Sequence, residues 1–292
     1  MMRRSGQSPL LIVSALALAL SLAACDNGTD APAEPDKKDT APATDNGQPD
    51  RPVETDGGDK QAARPVPAKL THQMETLERR PQGCDGDDCP HFEVRLQVYE
   101  GQPELNAAVR RQLTSQLVVT SENPASPDSL EAAAEQFLST AAGVSGEGSH
   151  GWELTGETRQ LGRWKDLVTI AISSYEFTGG AHGLPVTRWL NWDLGENHAV
   201  PLGRLIESGQ ESAFWNAAER AHARWVEKQA PDDAGFREDW PFQQSESYRL
   251  TPAGVVLHYD VYSIAPYAMG QPELTVPWKD LEGVIRPRYR PH

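Results

Sequence analysis

Alternating apolar positions along the chain predict the strands of its fold. In residues 91–99, Phe92, Val94, Leu96 and Val98 alternate with polar residues, and this period of two turns one face of a strand toward a core. The same reasoning predicts strands at residues 152–164, 167–177, 186–194, 247–250, 255–262 and 274–278. Residues 251–254 (TPAG) carry the turn residues expected between two of these strands.

Apolar residues spaced four apart predict the helices. Leu105, Val109, Leu113 and Leu117 form one such stripe, and a third helix is expected over residues 211–228. The second helix is predicted to open with a capping box formed by residues 128 and 131. The order of elements predicts the α+β class, with a mostly antiparallel sheet, helices packed on one side and two closely packed sub-domains.

The first 25 residues are typical of an exported lipoprotein. Arg3 and Arg4 precede an apolar run over residues 10–24 that is too short to span a bilayer but fits a secretory signal peptide. Residues 22–25 (LAAC) resemble a bacterial lipobox, so Cys25 is the expected site of lipidation. Ordinary secretion with cleavage elsewhere is the alternative. We expect an extracytoplasmic protein anchored to a bacterial membrane and facing the periplasm. Asp26 resembles an inner-membrane retention signal, but the choice of membrane stays open.

Composition divides the remainder of the chain. Residues 26–69 hold seven prolines and no aromatic residue, a composition that cannot bury enough apolar surface to offset the entropy of ordering. We therefore expect a signal peptide at residues 1–24 and a lipid-anchored, disordered linker at residues 25–75. The two α+β parts are expected at residues 76–194 and 195–288.

Net charge limits the partners of the protein. The formal net charge is −15, which argues against nucleic acid as a partner. Negative charge favours encounter with a cationic partner, although acidity also serves solubility alone. With lipidation at Cys25, the thiols of Cys84 and Cys89 remain as a pair. We expect a disulfide there. A metal site using the intervening aspartates is the alternative, but the spacing is wider than in zinc knuckles and no second cysteine pair exists.

A glycine-rich loop at residues 179–183 (GGAHG) is the most distinctive internal motif. A phosphate-binding loop would be followed by a helix, whereas a strand is predicted to follow here. Residues 143–146 do not match a nucleophile elbow, which needs glycine two places to either side of the serine, because residue 147, two places after Ser145, is glutamate.

Several segments resemble the RsiV-like family. They are residues 175–183 (YEFTGGAHG), 191–194 (NWDL), 201–206 (PLGRLI), 263–270 (SIAPYAMG) and 276–278 (VPW). The similarity runs in order from about residue 80 to 285, and the placement of Cys84 and Cys89 before a strand also fits. The resemblance implies an α+β binding module at the cell envelope. One member of the family is an anti-sigma factor whose external domain binds lysozyme, and others precede a peptidoglycan deacetylase domain. With only residues 1–7 before its apolar run and no deacetylase motif, this chain is expected to keep the external module alone.

The glycine-rich loop and the segment before the last strand are expected to form a partner-binding surface. The expected partner-binding residues are Gly179, Gly180, His182, Gly183, Tyr262, Pro266 and Tyr267. The competing interpretation of Tyr262, Tyr267 and Met269 is a packed connection before the final strand, and that of His182 is a turn residue bonded to the backbone. We expect a non-catalytic protein without cofactor or metal that binds lysozyme or a cell-wall ligand. The alternative is a hydrolase or deacetylase-like enzyme acting on wall glycan or peptide, in which His182 works with Asp193 or Glu176. His198 is a further candidate for a metal ligand beside His182.

Overall fold

The computed structural model describes residues 66–119, 126–144, 148–233 and 235–291, all within one compact unit, residues 59–292. The predicted signal peptide, Cys25 and most of the predicted linker lie outside the described residues. Among the helices in these ranges, none has both the length and the apolar character needed to cross a membrane.

The larger sheet has six strands in sequence order. They are β1 (His72–Arg79), β2 (His91–Tyr99), β3 (Glu153–Trp164), β4 (Leu167–Phe177), β5 (Leu184–Asp193) and β6 (His198–Ala199). Neighbouring strands are antiparallel except β2 and β3, which are parallel. A parallel pair needs a crossover connection, and helices α1 (Pro103–Gln116) and α2 (Leu130–Ala142) form it.

The first core lies between this sheet and the two crossover helices. Alternate residues of β4, namely Val168, Ile170 and Ile172, are fully buried there together with Phe92 of β2. The apolar stripe of α1 predicted from its four-residue spacing faces the same core. The mixed α+β class, the mostly antiparallel sheet and the helices on one side are therefore confirmed.

A second, antiparallel sheet has its own helices and core. Its strands are β7 (Tyr248–Thr251), β8 (Gly254–His258) and β9 (Glu273–Pro277), and its helices are α3 (Leu202–Leu205), α4 (Glu211–Gln229) and α5 (Phe236–Asp239). Short 3-10 turns occupy Tyr267–Met269, Trp278–Asp280 and Pro287–Tyr289. Phe214 and Ala218 of α4 pack with Val255 and Val276 in this core.

The second sheet packs on the face of the first sheet that the helices leave uncovered. Ala171 of β4 and Trp189 of β5 contact Val256 of β8, and the rings of Trp189 and His258 stack at 4.7 Å. Asn191 donates a hydrogen bond to the carbonyl of Tyr248 at 2.6 Å. The face of the larger sheet opposite its helices is therefore partly occupied by the second sheet.

Three details differ from the sequence predictions. The N-cap of α2 is Ser129, whose hydroxyl accepts from the N–H of Ala132, so the predicted role of Asp128 as the cap is wrong. Strand β8 ends at His258 because the chain then turns away to pack on the edge of β5. Strand β1 was not predicted, and it begins at His72, within the range 25–75 interpreted as linker.

The proposed boundary at residue 195 falls between β5 and β6. Because β6 pairs with β5, the six-stranded sheet continues a few residues past that boundary. The division into residues 76–194 and 195–288 stays a prediction.

Candidate functional site

Two loops that are distant in sequence meet in a cluster of three rings. His182, from the loop between β4 and β5, stacks on Tyr267 with 3.9 Å between ring centroids and an angle of 22°. Tyr262 lies 5.5 Å from Tyr267 by ring centroids and 6.2 Å from His182. We call His182, Tyr262 and Tyr267 the aromatic cluster. It unites the GGAHG and IAPYAMG motifs in one place.

The carbonyl oxygen of Gly183 fixes the hydrogen-bonding roles in the cluster. It accepts from the hydroxyl of Tyr267 at 2.9 Å and lies 3.1 Å from Nδ1 of His182. Because a carbonyl can only accept, Nδ1 must carry the proton in this arrangement. In the neutral ring Nε2 is then an acceptor, and the hydroxyl of Tyr262 donates to it at 3.2 Å. Backbone and tyrosine groups therefore hold the imidazole at both of its nitrogens.

The glycines of the loop are required for two different geometric reasons, backbone conformation and space. Gly179 and Gly180 have φ values of 99° and 95°, which side-chain-bearing residues rarely adopt. Gly183 is required for space, since a Cβ there would lie 2.3 Å from the ring of Tyr175. Close packing of Tyr175 on Gly183 sets the position of the carbonyl to which Tyr267 and His182 bond.

Tyr262 has a left-handed backbone, with φ of 64°. Non-glycine residues in this region are uncommon, and such strain persists where surrounding contacts enforce it. Asp260 supplies those contacts. Its Oδ1 accepts from the N–H of Thr187 at 2.9 Å and from Gln271 at 3.1 Å, and its Oδ2 pairs with Arg188. The loop that carries Tyr262 is thus fastened to the edge of β5.

The cluster lies at the surface. Four large apolar side chains are exposed in the described part of the chain: Met74, Leu184, Tyr262 and Met269. All but Met74 belong to the two loops or their immediate ends, and Tyr262 is 49% exposed. Pro266 precedes the 3-10 turn that presents Tyr267 and Met269, and its carbonyl accepts from the N–H of Met269 at 2.9 Å. Solvent-exposed apolar and aromatic groups grouped in this way are typical of binding surfaces.

Asp193, one of the two acids proposed to work with His182, has another role. The Asp193 side chain is 2% exposed and accepts from Arg288 at 2.6 Å and from the N–H groups of Gly195 and Glu196. The Arg288 guanidinium also holds the pKa of the Glu196 carboxyl below its ordinary value, chiefly through a hydrogen bond. Asp193 therefore serves as a structural anchor for the C-terminal segment.

The other candidate ligands are also placed apart from the cluster. Nε2 of His198 pairs with Glu196 at 2.8 Å. Within residues 66–119, 126–144, 148–233 and 235–291, no group of three or more His, Cys, Asp or Glu side chains is arranged to hold a metal ion. Cys84 and Cys89 form a disulfide, as the sequence predicts, with their Cα atoms 5.8 Å apart.

Sequence reasoning missed the residues that position the cluster. Asp260, Gln271 and Thr187 act through contacts separated by more than 70 residues along the chain, or by a loop whose path no local pattern reveals. Tyr175 did carry a signal, because it lies four residues before the first glycine of the loop, but its packing on Gly183 depends on the register of β4 and β5.

Comparison with known proteins places the chain in a family. The model for DUF3298, described as "Protein of unknown function (DUF3298)", matches residues 204–279. The crystal structure of a DUF3298 family protein from Pseudomonas aeruginosa PAO1 is 34% identical in sequence, with a TM-score of 0.68, and the match covers 77% of this chain and 98% of that one. The chain belongs to the DUF3298 family.

A second DUF3298 structure shares the fold at much lower identity. The protein from Bacteroides fragilis NCTC 9343 is 17% identical, with a TM-score of 0.59, and the match covers 74% of this chain and 94% of that one. No curated protein matches the chain. The DUF3298 match includes Tyr262, Pro266 and Tyr267, whereas the GGAHG loop precedes it. In this DUF3298 protein the cluster therefore joins residues inside the matched segment to residues before it.

Proposed function

We propose that this DUF3298 protein is a lipid-anchored, extracytoplasmic binding protein that captures a partner without chemically changing it. The aromatic cluster with its exposed apolar neighbours Leu184 and Met269 forms the contact surface. Cys25 carries the lipid, and the residues between Cys25 and β1 tether the folded unit to a bacterial membrane.

One observation carries the proposal. The two motifs that the sequence singled out as partner-binding lie far apart in the chain, yet His182 stacks on Tyr267 and accepts from Tyr262. Tyr262 keeps a strained backbone while leaving about half of its side chain in solvent. Burial in the core gives no reason for such strain, so a surface role accounts for it best.

Lysozyme is the leading candidate partner. The RsiV-like resemblance includes an external domain that binds lysozyme, and membership of DUF3298 is consistent with that resemblance. Lysozymes are commonly cationic, and the net charge of −15 favours their encounter at low ionic strength. A cell-wall ligand is the other partner that the resemblance supports.

Calorimetric titration of the full chain in detergent with lysozyme tests the capture. We expect saturable binding that weakens when Met269→Ala shortens an exposed side chain of the surface. Met74→Ala is the matched control, because Met74 is also exposed but lies on β1. Equal effects of the two substitutions, or no heat at low salt, would contradict the proposed surface or the proposed partner respectively.

Turnover assays separate capture from catalysis. Gly183 and Tyr262 hold the imidazole of His182 at both ring nitrogens, and Asp193 is paired with Arg288, which favours capture. We expect wall fragments incubated with the protein to remain intact. Reproducible hydrolysis or deacetylation that His182→Ala abolishes would establish the enzyme instead.

Anchoring is tested independently of binding. Cells expressing the protein are labelled with palmitate, with Cys25→Ser as the unlabelled control. We expect label on the native protein and its loss in the variant, together with a block of maturation by globomycin. An unlabelled native protein would refute the anchor while leaving the binding surface untouched.

A further inference from the structure

The face of the larger sheet opposite its helices contacts the second sheet through the uncharged residues Ala171, Trp189 and Asn191, and it carries charged residues where it is open. Side chains of residues in register share a face, and one row across β4 and β5 pairs Ala171 with Trp189 beneath Val256. The next two rows on that face lie outside this contact. They contain Arg95, Glu157, Ser173 and Thr187, and then Glu93, Thr155, Tyr175 and Pro185.

These open rows line a groove of about 410 Å³. Its floor comes from β2 and β3 and includes Glu93, Arg95, Glu153 and Glu157. Its wall is formed by Tyr175, Thr187 and Gln271. We call this cavity the acidic groove. The groove lies between the face of the larger sheet and the loop that leads into β9.

The wall of the acidic groove is held in place by hydrogen bonds. The hydroxyl of Thr187 lies 3.0 Å from that of Ser173 and donates to Gln271 at 3.2 Å. Gln271 in turn donates to Asp260 at 3.1 Å. Because these side chains are already paired with one another, the groove is formed before any ligand enters, which lowers the entropic cost of binding.

The charges on the floor, in contrast, are available. In the part of the chain that the structure describes, the side chains of Glu93, Arg95, Glu153 and Glu157 form no hydrogen bond or ion pair. Glu93 and Glu153 are half-buried, and in the described residues neither side chain has a charged partner. Three carboxylates against one guanidinium leave a local excess of negative charge, which attracts a cation.

The acidic groove adjoins the aromatic cluster. Tyr175 lines the groove and also packs on Gly183, whose carbonyl bonds to His182 and Tyr267. Gln271 lines the groove two residues after Met269 and shares Asp260 with the loop that carries Tyr262. The two features are therefore parts of one continuous surface, apolar at one end and negatively charged at the other.

We propose that the acidic groove receives a lysine or arginine side chain of a basic protein partner while the aromatic cluster contacts the apolar surface beside it. This inference rests on the proposed function and names the chemistry of its partner. The carboxylates surround the cavity and do not converge on one point, since no three acidic or imidazole side chains in the described ranges form a metal site. An extended cation on a flexible stem suits such spacing, and Tyr175 lines the same groove.

The test compares two triple variants with the same change in net charge. Glu93→Gln, Glu153→Gln and Glu157→Gln neutralise the groove. Glu135→Gln, Glu219→Gln and Glu227→Gln neutralise three exposed glutamates on α2 and α4 and serve as the control. Full-length chains in detergent are titrated with lysozyme, and in parallel with cytochrome c, at several salt concentrations. Thermal melts verify that each variant is folded.

We expect the groove variant to bind lysozyme at least about tenfold more weakly and to lose much of its salt dependence. The control should stay within about threefold of the native chain, because diffuse charge acts weakly when screened. Equal affinities of the two variants, with binding still weakened in Met269→Ala, would overturn the inference and leave the proposed function standing. A native chain that binds neither basic protein at low salt would overturn both.

Discussion

The hydroxyl of Tyr262 donates to Nε2 of His182 across 80 positions of sequence, at 3.2 Å. The bond joins a loop of the six-stranded sheet to a loop of the three-stranded sheet. Tyr262 adopts a left-handed backbone conformation, with φ of 64°, in the loop that places its hydroxyl beside His182. Because the backbone strain and the hydrogen bond belong to the same residue, substitutions of Tyr262 can test whether the strain serves binding.

Replacement of Tyr262 by glycine should separate stability from binding. Glycine adopts positive φ without steric penalty, and relief of the strain should offset the lost hydrogen bond, leaving the free energy of unfolding unchanged or raised by up to about 1 kcal/mol. Binding of the partner should weaken, because an exposed aromatic side chain is removed from the contact surface. Urea denaturation and calorimetric titration measure the two effects.

Tyr262→Phe is the companion variant. It keeps the ring and the strained backbone but removes the hydroxyl, so its binding should fall between that of the native chain and that of the glycine variant. A glycine variant destabilised by more than about 1 kcal/mol would show that Tyr262 serves packing and that its strain has no connection with a partner.

Gly183→Ala should displace the backbone carbonyl that supports the aromatic cluster. The added methyl group would lie 2.3 Å from the ring of Tyr175, so either the ring or the loop must move. We expect a loss of about 1–3 kcal/mol in the free energy of unfolding, together with weaker binding. Gly203→Ala is the matched control, because no atom lies within 4 Å of its added Cβ and its helical setting favours alanine.

The double variant Tyr175→Ala with Gly183→Ala identifies the cause. If the clash is responsible, removal of the ring makes the second substitution nearly neutral, and the effects of the two single changes do not add. If the losses in the free energy of unfolding add, the contact with Tyr175 is not the reason that position 183 requires glycine.

Elements that bury one face are the ones the sequence predicts well. Strand β2 has the bounds that the alternation of Phe92 and Val94 indicates, and helix α1 turns the predicted stripe of Leu105 and Val109 toward the same core. Strand β1 gives no such pattern. It is an edge strand with nearly all its residues exposed, so pairing with β2 orders it without an apolar stripe.

The candidate site was predictable in its members but not in its assembly. The glycines, His182 and Tyr267 are conspicuous in the sequence, and the structure brings them together. Their supports act over long separations, as the bond between Thr187 and Asp260 shows. Whether two sheets pack face to face, and in which register, is set by tertiary contacts that local periodicity does not encode.

The C-terminal segment depends on a buried carboxylate. Arg288 pairs with Asp193, whose side chain is 2% exposed, and burial without a charged partner is costly. Arg288→Ala should therefore lower the free energy of unfolding by about 1–3 kcal/mol, although backbone N–H groups still bond to Asp193. Chemical denaturation followed by tryptophan fluorescence measures this loss.

Arg224→Ala is the control for that measurement. Arg224 pairs with Asp280 at the same type of distance, 2.8 Å, but both side chains are more exposed, and the expected cost is about 0–1 kcal/mol. Equal losses in the two variants would mean that burial of Asp193 adds nothing to the strength of its pair.

Acid should weaken the contact between the two sheets through His258. The imidazole is buried, stacks on Trp189 and has no hydrogen-bond partner for either nitrogen in the described residues. Burial lowers the pKa of His258 below its ordinary value of 6.5, and this effect exceeds the opposing influence of Asp260 and Glu273, while Arg188 and Arg249 act in the same direction as burial.

The sign of the effect follows from proton uptake. Below pH 6.5 the unfolded chain binds a proton at His258 before the native protein does, so stability is full above that pH and falls as the pH drops toward the depressed native value. His222 lies buried beside Trp225 and contributes in the same direction, since burial also lowers its pKa. Urea midpoints measured from pH 7.5 to 5 should therefore decrease with acidity.

His258→Phe isolates the contribution of this residue. Phenylalanine keeps a flat ring against Trp189 but cannot take up a proton, so the decrease in the urea midpoint between pH 7.5 and 5 should become smaller than in the native protein. His150→Gln, which changes an exposed imidazole, should leave the pH dependence as it was. A His258→Phe variant whose midpoint decreases as steeply as that of the native chain would show that protonation elsewhere controls acid stability. If His222→Phe then flattened the profile, the sensitive contact would lie beneath α4, where His222 packs against Trp225 and Phe242.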